Sequence, residues 1–223
     1  MCDGEVATQA RWKAVLADLN AAPVFALADQ QGNLLQQREK EDGQKLVLFY
    51  AAVDRAQDER TAANKDRPED DLKILPVGLG LAYDKVRQGQ ALIVPGFSEL
   101  SAAQEMQVAA PEDAASMLAG AGIESPVVEW NRDVVPLFGC FEMTRRRPDG
   151  SRFTPVFMSH ADAQAAFEKT KAANPEKTAQ FEIDVVALPK LLELAVAGKA
   201  KVPPRVIPPS ESMRFIQQLQ QGV

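Results

Sequence analysis

The sequence has few of the residue types that carry out chemistry. Among its 223 residues there is one histidine, His160, and there are two cysteines, Cys2 and Cys140. Two cysteines exclude a disulfide framework and a four-cysteine zinc site. A single histidine does not supply the nucleophile, base and orienting acid that a hydrolase needs. We therefore predict no enzyme, no metal and no cofactor.

Long apolar runs and an excess of positive charge are also missing. No window approaches the roughly 18 consecutive apolar residues of a transmembrane helix, and the formal net charge is -6. An acidic chain is poorly suited to neutralise nucleic-acid phosphates, so we expect no nucleic-acid partner. The start, Met1 to Glu5, lacks the features of a secretory signal and has the acids that transit peptides avoid. It leaves two alternatives, a cytosolic protein or a mature form.

The most informative feature that is present is a pattern that occurs twice. In both halves, a Pro-containing apolar segment precedes a turn, an apolar run, a polar helical stretch and another apolar run. Phe157 follows Phe49 by 108 positions, and Gly198 follows Gly89 by 109. A near-constant offset across several landmarks indicates two similar halves, which usually form a pseudo-symmetric body.

Strand and helix signals alternate within each half. Period-2 and continuous apolar runs predict strands at 46–50, 72–77, 91–94, 134–143, 152–158, 181–186 and 202–207, and a hairpin over 25–35. Helices are predicted over 6–19, 54–65, 81–86, 159–173 and 190–197, and from 210 onward. The order predicts an α/β (α+β) fold in which two similar half-domains, with short sheets flanked by helices, form a pseudo-two-fold body.

The same pattern predicts the domain boundaries. We expect an N-terminal helix over 1–21, a first repeat over 22–122 and a second repeat over 123–223, together in one compact unit. The first repeat contains an Ala-rich helical insert at 98–122, with a break at Pro111. Ala119–Gly122 is the expected hinge, because glycine gives the backbone the most freedom.

Three motifs suggest a chemical function, but each lacks a residue or an arrangement that this function requires. Ser159 before His160 is better placed to cap a helix than to act as a nucleophile. The apolar strand ending at Tyr50 resembles the one before a thioredoxin site, but no Cys-x-x-Cys follows it. Gly78-Leu79-Gly80 has Tyr83 where a dinucleotide loop needs its third glycine, so a tight turn is favoured.

Two surfaces remain as candidate binding sites. One is the apolar side of the last helix, with Met213, Phe215 and Ile216, which is equally typical of simple core packing. The other is the basic cluster Arg145, Arg146 and Arg147 beside a Pro-Asp-Gly turn. Such a cluster is either a solvated hairpin tip or a docking site for an acidic partner or anionic lipid head groups.

Several segments in their order resemble the Tic twenty-two-like family. These are Pro23-Val24-Phe25 and Leu46-Val47-Leu48-Phe49-Tyr50 in the first half, and Val135-Pro136-Leu137-Phe138, Thr154-Pro155-Val156-Phe157-Met158-Ser159, Asn174-Pro175-Glu176, Ile183-Asp184-Val185-Val186-Ala187-Leu188 and Pro208-Pro209-Ser210 in the second. The resemblance covers about 22–219. The Ala-rich insert and the three arginines depart from the family pattern.

This resemblance implies a non-enzymatic, chaperone-like role in protein import into plastids, in a soluble compartment of the chloroplast such as the intermembrane space. Its expected partners are precursor proteins or translocon subunits. Peripheral membrane contact is compatible with it, and a membrane span is not. The departures leave open an alternative, in which the chain is a structural or accessory subunit of a larger chloroplast or thylakoid complex.

Overall fold

The structure is a computed structural model that describes residues 3–39, 43, 45–109, 129–131, 133–178 and 181–221. In these residues there are seven α-helices: α1 Asp3–Leu19, α2 Val53–Asp66, α3 Leu79–Arg87, α4 Phe97–Ala109, α5 His160–Ala173, α6 Leu188–Ala197 and α7 Ser210–Gln220. The strands are β1 Pro23–Ala28, β2 Gln36–Glu39, β3 Lys45–Tyr50, β4 Lys73–Gly78, β5 Ala91–Val94, β6 Pro136–Gly139, β7 Arg145–Arg146, β8 Arg152–Phe157, β9 Asp184–Ala187 and β10 Pro204–Ile207.

The first sheet is formed by β1 to β5. Strand β1 pairs antiparallel with both β3 and β4, while β3 also pairs antiparallel with β2 and parallel with β5. The parallel pair is connected through α2, β4 and α3, since a parallel pairing needs a long crossover. Strand β4 stands at one end of the strand order.

The second sheet repeats this pairing scheme. Strand β6 pairs antiparallel with β8 and β9, and β8 pairs antiparallel with β7 and parallel with β10. Each sheet is therefore a mixed sheet with the same strand order and the same strand directions. The predicted α+β class with two short sheets is confirmed, and β10, which begins at Pro204, lies at one end of its strand order, where proline is tolerated.

Packing divides the chain into two compact units. The first-sheet unit contains Leu16–Phe97, Arg132–Val135 and Pro208–Val223. The second-sheet unit contains Met1–Val15, Ser98–Asn131 and Pro136–Ile207. The helix that follows β5 thus belongs to the second-sheet unit, and the helix that follows β10 belongs to the first-sheet unit. The sequence boundary at residue 122 and the pseudo-two-fold arrangement stay predictions.

The core of the first-sheet unit lies between β1, β3, β4, α2 and α7. Its buried members are Phe25, Leu27, Tyr50, Val53, Ala56, Leu72 and Ile74. Burying apolar side chains such as these contributes about 1.5–3 kcal/mol each and is the main force that holds the helices on the sheet.

Three local predictions differ from the structure. The hairpin over 25–35 closes through the Ala28–Leu34 bridge and the Leu35 amide, which donates to the Leu27 carbonyl at 2.8 Å, but Leu34 and Leu35 do not form a second strand. The strand predicted over 134–143 ends at Gly139, where Cys140 to Met143 form a turn. The strand predicted over 181–186 begins only at Asp184. The helix after Pro111 and the hinge at Ala119–Gly122 lie outside the described residues.

Candidate functional site

The predicted apolar face of the last helix is split between packing and exposure. Helix α7 begins at Ser210 after two prolines, and its first-turn amide at Met213 donates to the Pro209 carbonyl at 3.2 Å. Phe215 meets Phe25 edge to face, with ring centroids 5.8 Å apart and an interplanar angle of 80°. This geometry is favoured by aromatic quadrupoles. Phe215 is therefore an anchor for the helix.

Met213 and Ile216 lie one turn apart on α7 and border an open groove. The groove has a volume of about 300 Å³ and is lined by Asn20, Ala21, Pro23, Pro76, Val77, Gly78, Met213 and Ile216. Met213 is 37% exposed, while Ile216 is half-buried and also packs against the core. The structure brings these two predicted residues together with the end strand β4.

A close backbone approach shapes the wall of this groove. The C-terminal end of α1 lies against the start of α3. A Cβ atom on Gly80 would lie 1.8 Å from the carbonyl oxygen of Leu16, and one on Gly78 would lie 2.4 Å from Oδ1 of Asn20. Oδ1 of Asn20 also accepts from the amide of Leu81 at 3.0 Å, which satisfies a free donor of the first turn of α3. The two glycines are accounted for by this close packing of α1 against α3.

The basic cluster lies in the second-sheet unit. Arg145 and Arg146 form β7 and are exposed, and Arg147 is half-buried directly after it. A tight turn fixes them: the Arg147 amide donates to Ser151 at 2.8 Å, and Gly150 adopts a φ of +84°. The guanidinium carbon of Arg147 lies 5.7 Å from the ring centroid of Phe153, at cation–π distance. The cluster is therefore a fixed feature of the turn.

His160 and Ser159 have structural roles. The Ser159 hydroxyl accepts from the Asp162 amide at 3.3 Å and caps α5, as the sequence predicts. The His160 ring lies against Phe138, with centroids 5.0 Å apart. A hydroxyl used as a cap and an imidazole packed on an aromatic ring do not form a nucleophile–base pair.

Cys140 is buried and carries a proton at neutral pH. Its thiol donates to Oε2 of Glu142 at 3.2 Å, and burial is the main cause that raises its pKa to about 12. A nucleophilic cysteine needs the opposite shift. Among the described residues no group of three His, Cys, Asp or Glu side chains is arranged to hold a metal ion.

One further carboxyl group close to this thiol titrates abnormally. Asp184 begins β9 opposite Gly139, and burial, with the nearby charges of Glu142 and Glu182, raises its pKa to about 6. A buried carboxylate among like charges is disfavoured in its ionised form. Asp184 is not among the residues that line the groove, and its burial lowers the stability of the folded protein at neutral pH.

Two solved structures resemble the chain over almost its whole length. Anabaena Tic22, described as a protein-transport protein, has a TM-score of 0.64 at 17% identity and is matched over 93% of this chain and 96% of its own. Tic22 from Plasmodium falciparum has a TM-score of 0.69 at 15% identity, over 94% of this chain and 98% of its own. The chain has the Tic22 fold. No protein-family model and no curated protein matches the sequence.

The structural comparison confirms the resemblance of the sequence to the Tic twenty-two-like family as a resemblance of fold. None of the helices within the described ranges is long and apolar enough to cross a membrane. The candidate residues of α7 and of the basic cluster lie in different units.

Sequence reasoning missed the lining residues Asn20, Pro76 and Val77. The sequence pattern at Pro76 and Val77 predicts only a strand. The available signal was Pro76 itself, because proline inside a strand marks a sheet edge.

Proposed function

We propose that this protein is a non-enzymatic, chaperone-like binding protein of protein import into plastids. The observation that carries the proposal is the Tic22 fold over more than nine-tenths of the chain, together with the transport role given to Anabaena Tic22. We place the protein in a soluble compartment of the chloroplast, with the intermembrane space as the first candidate. Its partners in this proposal are precursor proteins.

We assign client binding to the groove between α7 and β4. Its wall combines apolar atoms of Pro23, Val77 and Ile216 with the exposed thioether of Met213. Methionine adapts to differently shaped apolar partners because it is unbranched and flexible. An open apolar groove of this kind suits a short apolar stretch of an unfolded chain, whose identity varies between clients.

The end position of β4 supports an extended client. A strand at the end of a sheet can accept a further strand through its backbone, while pockets beside it receive alternate side chains. Pro76 has no amide hydrogen, so it reduces the number of donors on β4. Fewer backbone hydrogen bonds give weaker, reversible binding, as a holding protein requires.

We also infer that the two halves arose by duplication. The equal strand order and directions of the two sheets support this inference, as do the offsets of 108 and 109 positions between landmarks. The groove combines residues of both halves: Met213 and Ile216 come from the end of the second half, and Pro23 and Pro76 come from the first.

The proposal is tested with a matched pair of variants on α7. Met213→Asp places a charge in the groove, whereas Gln218→Asp places the same charge on an exposed position that does not line it. We expect Met213→Asp to weaken binding of an unfolded, transit-peptide-bearing precursor by about 5-fold or more, since a carboxylate must be desolvated. The affinity of Gln218→Asp stays within about 2-fold of the native protein.

Fluorescence anisotropy with the labelled precursor measures both affinities. Equal affinities for the native protein and Met213→Asp would remove the groove from the proposal.

The alternative is that the protein is an accessory subunit of a larger complex. Two exposed apolar side chains support it, Leu81 and Phe97, which are 61% and 58% exposed. Size-exclusion of a native plastid extract distinguishes it, because a subunit elutes in a stable high-mass peak.

A further inference from the structure

Five arginines lie on, or directly after, neighbouring strands of the second sheet. Arg145 and Arg146 of β7 pair with Phe153 and Arg152 of β8, and Arg205 belongs to β10, which also pairs with β8. Arg147 follows β7 directly. Four of the five are exposed, and Arg147 is half-buried. In a chain with a net charge of -6, this is a local reversal of sign.

Two of these guanidinium groups share one aromatic ring. The guanidinium carbon of Arg147 lies 5.7 Å from the ring centroid of Phe153, and that of Arg205 lies 5.5 Å from it. The two groups are therefore no farther apart than the sum of these distances. A guanidinium held on a ring keeps the N–H donors along its edge available for an anion.

The arginines lie on two different faces of the second sheet, because successive side chains of a strand alternate. Arg145 stands opposite Phe153, so it shares the face on which Arg147 and Arg205 approach the ring. Arg146 and Arg152 stand opposite each other on the other face, because successive side chains of a strand alternate. Arg147 and Arg205 thus converge on Phe153, Arg145 lies beside them on the same face, and Arg146 and Arg152 lie on the other face.

The acidic group closest in sequence is already engaged. Asp149 accepts from the amide and the hydroxyl of Ser151 at 2.9 and 2.7 Å. These hydrogen bonds are the main cause that lowers the pKa of Asp149, and the charge of Arg147 contributes less. The carboxylate of Asp149 therefore stabilises the turn and only partly balances the positive charge.

One donor of the cluster has no partner of its own. Nε of Arg147 is buried and makes no hydrogen bond to any residue that the structure describes. The ion pairs of arginine in the described ranges, Arg55–Glu59, Arg67–Asp70 and Arg87–Asp84, lie in the first-sheet unit. A buried donor without an acceptor is costly, so the protein itself leaves part of the hydrogen-bonding capacity of Arg147 unmatched.

We propose that Arg147, Arg205 and Arg145 form a phosphate-binding site around Phe153. Each guanidinium offers several N–H donors, and three of them exceed what the two oxygens of one carboxylate can accept side by side. A phosphate group has more oxygens and more charge, and it is the usual ligand of converging arginines. The phosphate belongs either to a small molecule or to a phospholipid head group.

Phosphate titration followed by NMR tests the site. The Nε–H signals of arginine are recorded while sodium phosphate is added to the whole protein, with sodium chloride at equal ionic strength as reference. Arg147→Gln/Arg205→Gln removes two charges from the Phe153 face. Arg146→Gln/Arg152→Gln removes two charges from the same strands on the other face and serves as control.

The native protein is expected to show a saturable shift with phosphate that chloride does not produce. The first double variant weakens phosphate affinity by about 10-fold or more, and the control changes it by about 2-fold or less. Arg145→Gln gives an independent check, since Arg145 is exposed and its replacement leaves the ring contacts in place; it weakens affinity by about 3-fold.

Vesicles separate the two sources of phosphate. Retention on vesicles that contain phosphatidylglycerol, but not on phosphatidylcholine alone, with loss in Arg147→Gln/Arg205→Gln, assigns the site to a lipid head group. A phosphate response without vesicle retention assigns it to a free phosphate compound. A phosphate titration that gives no shift beyond that of chloride overturns the proposal. Equal losses of phosphate affinity in the two double variants also overturn the proposal. Such a result would indicate that the positive charge of this surface attracts phosphate without a defined site.

Discussion

Some residues of this protein have roles that depend on neighbours in sequence, and others have roles that depend on residues far away in sequence. Ser159 caps α5 through a contact three positions away, so the sequence pattern is sufficient to predict it. The role of Phe215 depends on Phe25, which is far away in sequence. The contact of Gly80 with Leu16 is equally non-local. Such roles cannot be predicted from local pattern, because the partner is known only once the chain is folded.

Asp184 gives the protein a pH-dependent stability. Its folded pKa of about 6 lies above the ordinary value of 3.8. Below pH 3.8 both the folded and the unfolded state hold the proton, so no stability is lost. Between pH 3.8 and about 6 only the folded state holds it, so stability falls as the pH rises.

Asp184→Asn is therefore expected to stabilise the protein at pH 7.5. A shift of this size corresponds to about 3 kcal/mol, and partial exposure of the carboxyl reduces the expected gain to about 1 kcal/mol. At pH 3.5 the gain disappears. Urea unfolding between pH 3.5 and 8 measures the difference, with Glu176→Gln as an exposed control. A variant that is less stable than the native protein at pH 7.5 would contradict this assignment.

At the level of elements, the strands and helices follow sequence periodicity closely, and their pairing does not. The runs at 46–50 and 91–94 form β3 and β5 as predicted, and their parallel pairing follows from the intervening crossover. The hairpin predicted at 25–35 closes through Leu34 and Leu35, but these two residues do not form a strand, and the next strand, β2, pairs with β3. The choice between partners depends on the whole sheet.

Helix α7 shows this most clearly. It follows β10 in sequence but packs in the first-sheet unit, where Phe215 and Ile216 contact the core around Phe25. Phe215→Ala is expected to lower the free energy of unfolding by about 2–3 kcal/mol, since a half-buried aromatic anchor is lost. Leu219→Ala, which removes a side chain that is 45% exposed, changes it by about 0.5 kcal/mol or less.

Amide exchange locates the effect of Phe215→Ala. Protection should fall in β1 and β3 of the first-sheet unit, and it should stay unchanged in β6 and β8. Loss of protection confined to the second sheet would show that α7 does not stabilise the unit to which we assign it.

At the level of the whole molecule, the doubled pattern predicts two short sheets, and the structure contains them with the same strand order. The candidate site was predicted only in part. Met213 and Ile216 do line the groove, but Pro23, Pro76 and Val77 complete it from a distant part of the chain. A surface assembled from separate segments has no continuous signal in the sequence.

The basic cluster is likewise only partly predictable from the sequence. Arg145 to Arg147 are adjacent in sequence and were predicted as a cluster, whereas Arg205 joins them only through the parallel pairing of β10 with β8. Both surfaces thus combine a local motif with a contribution from another part of the fold.

The central claim is that the groove between α7 and β4 holds precursor proteins during import. Site-specific photocrosslinking during import into isolated plastids tests it most directly, with the crosslinker placed at Met213 in one protein and at Gln218 in the other. We expect a labelled precursor to be crosslinked from Met213 and not from Gln218, and the adduct to disappear when import is completed. Equal crosslinking from both positions, or none from Met213 while the precursor is in transit, would contradict the claim.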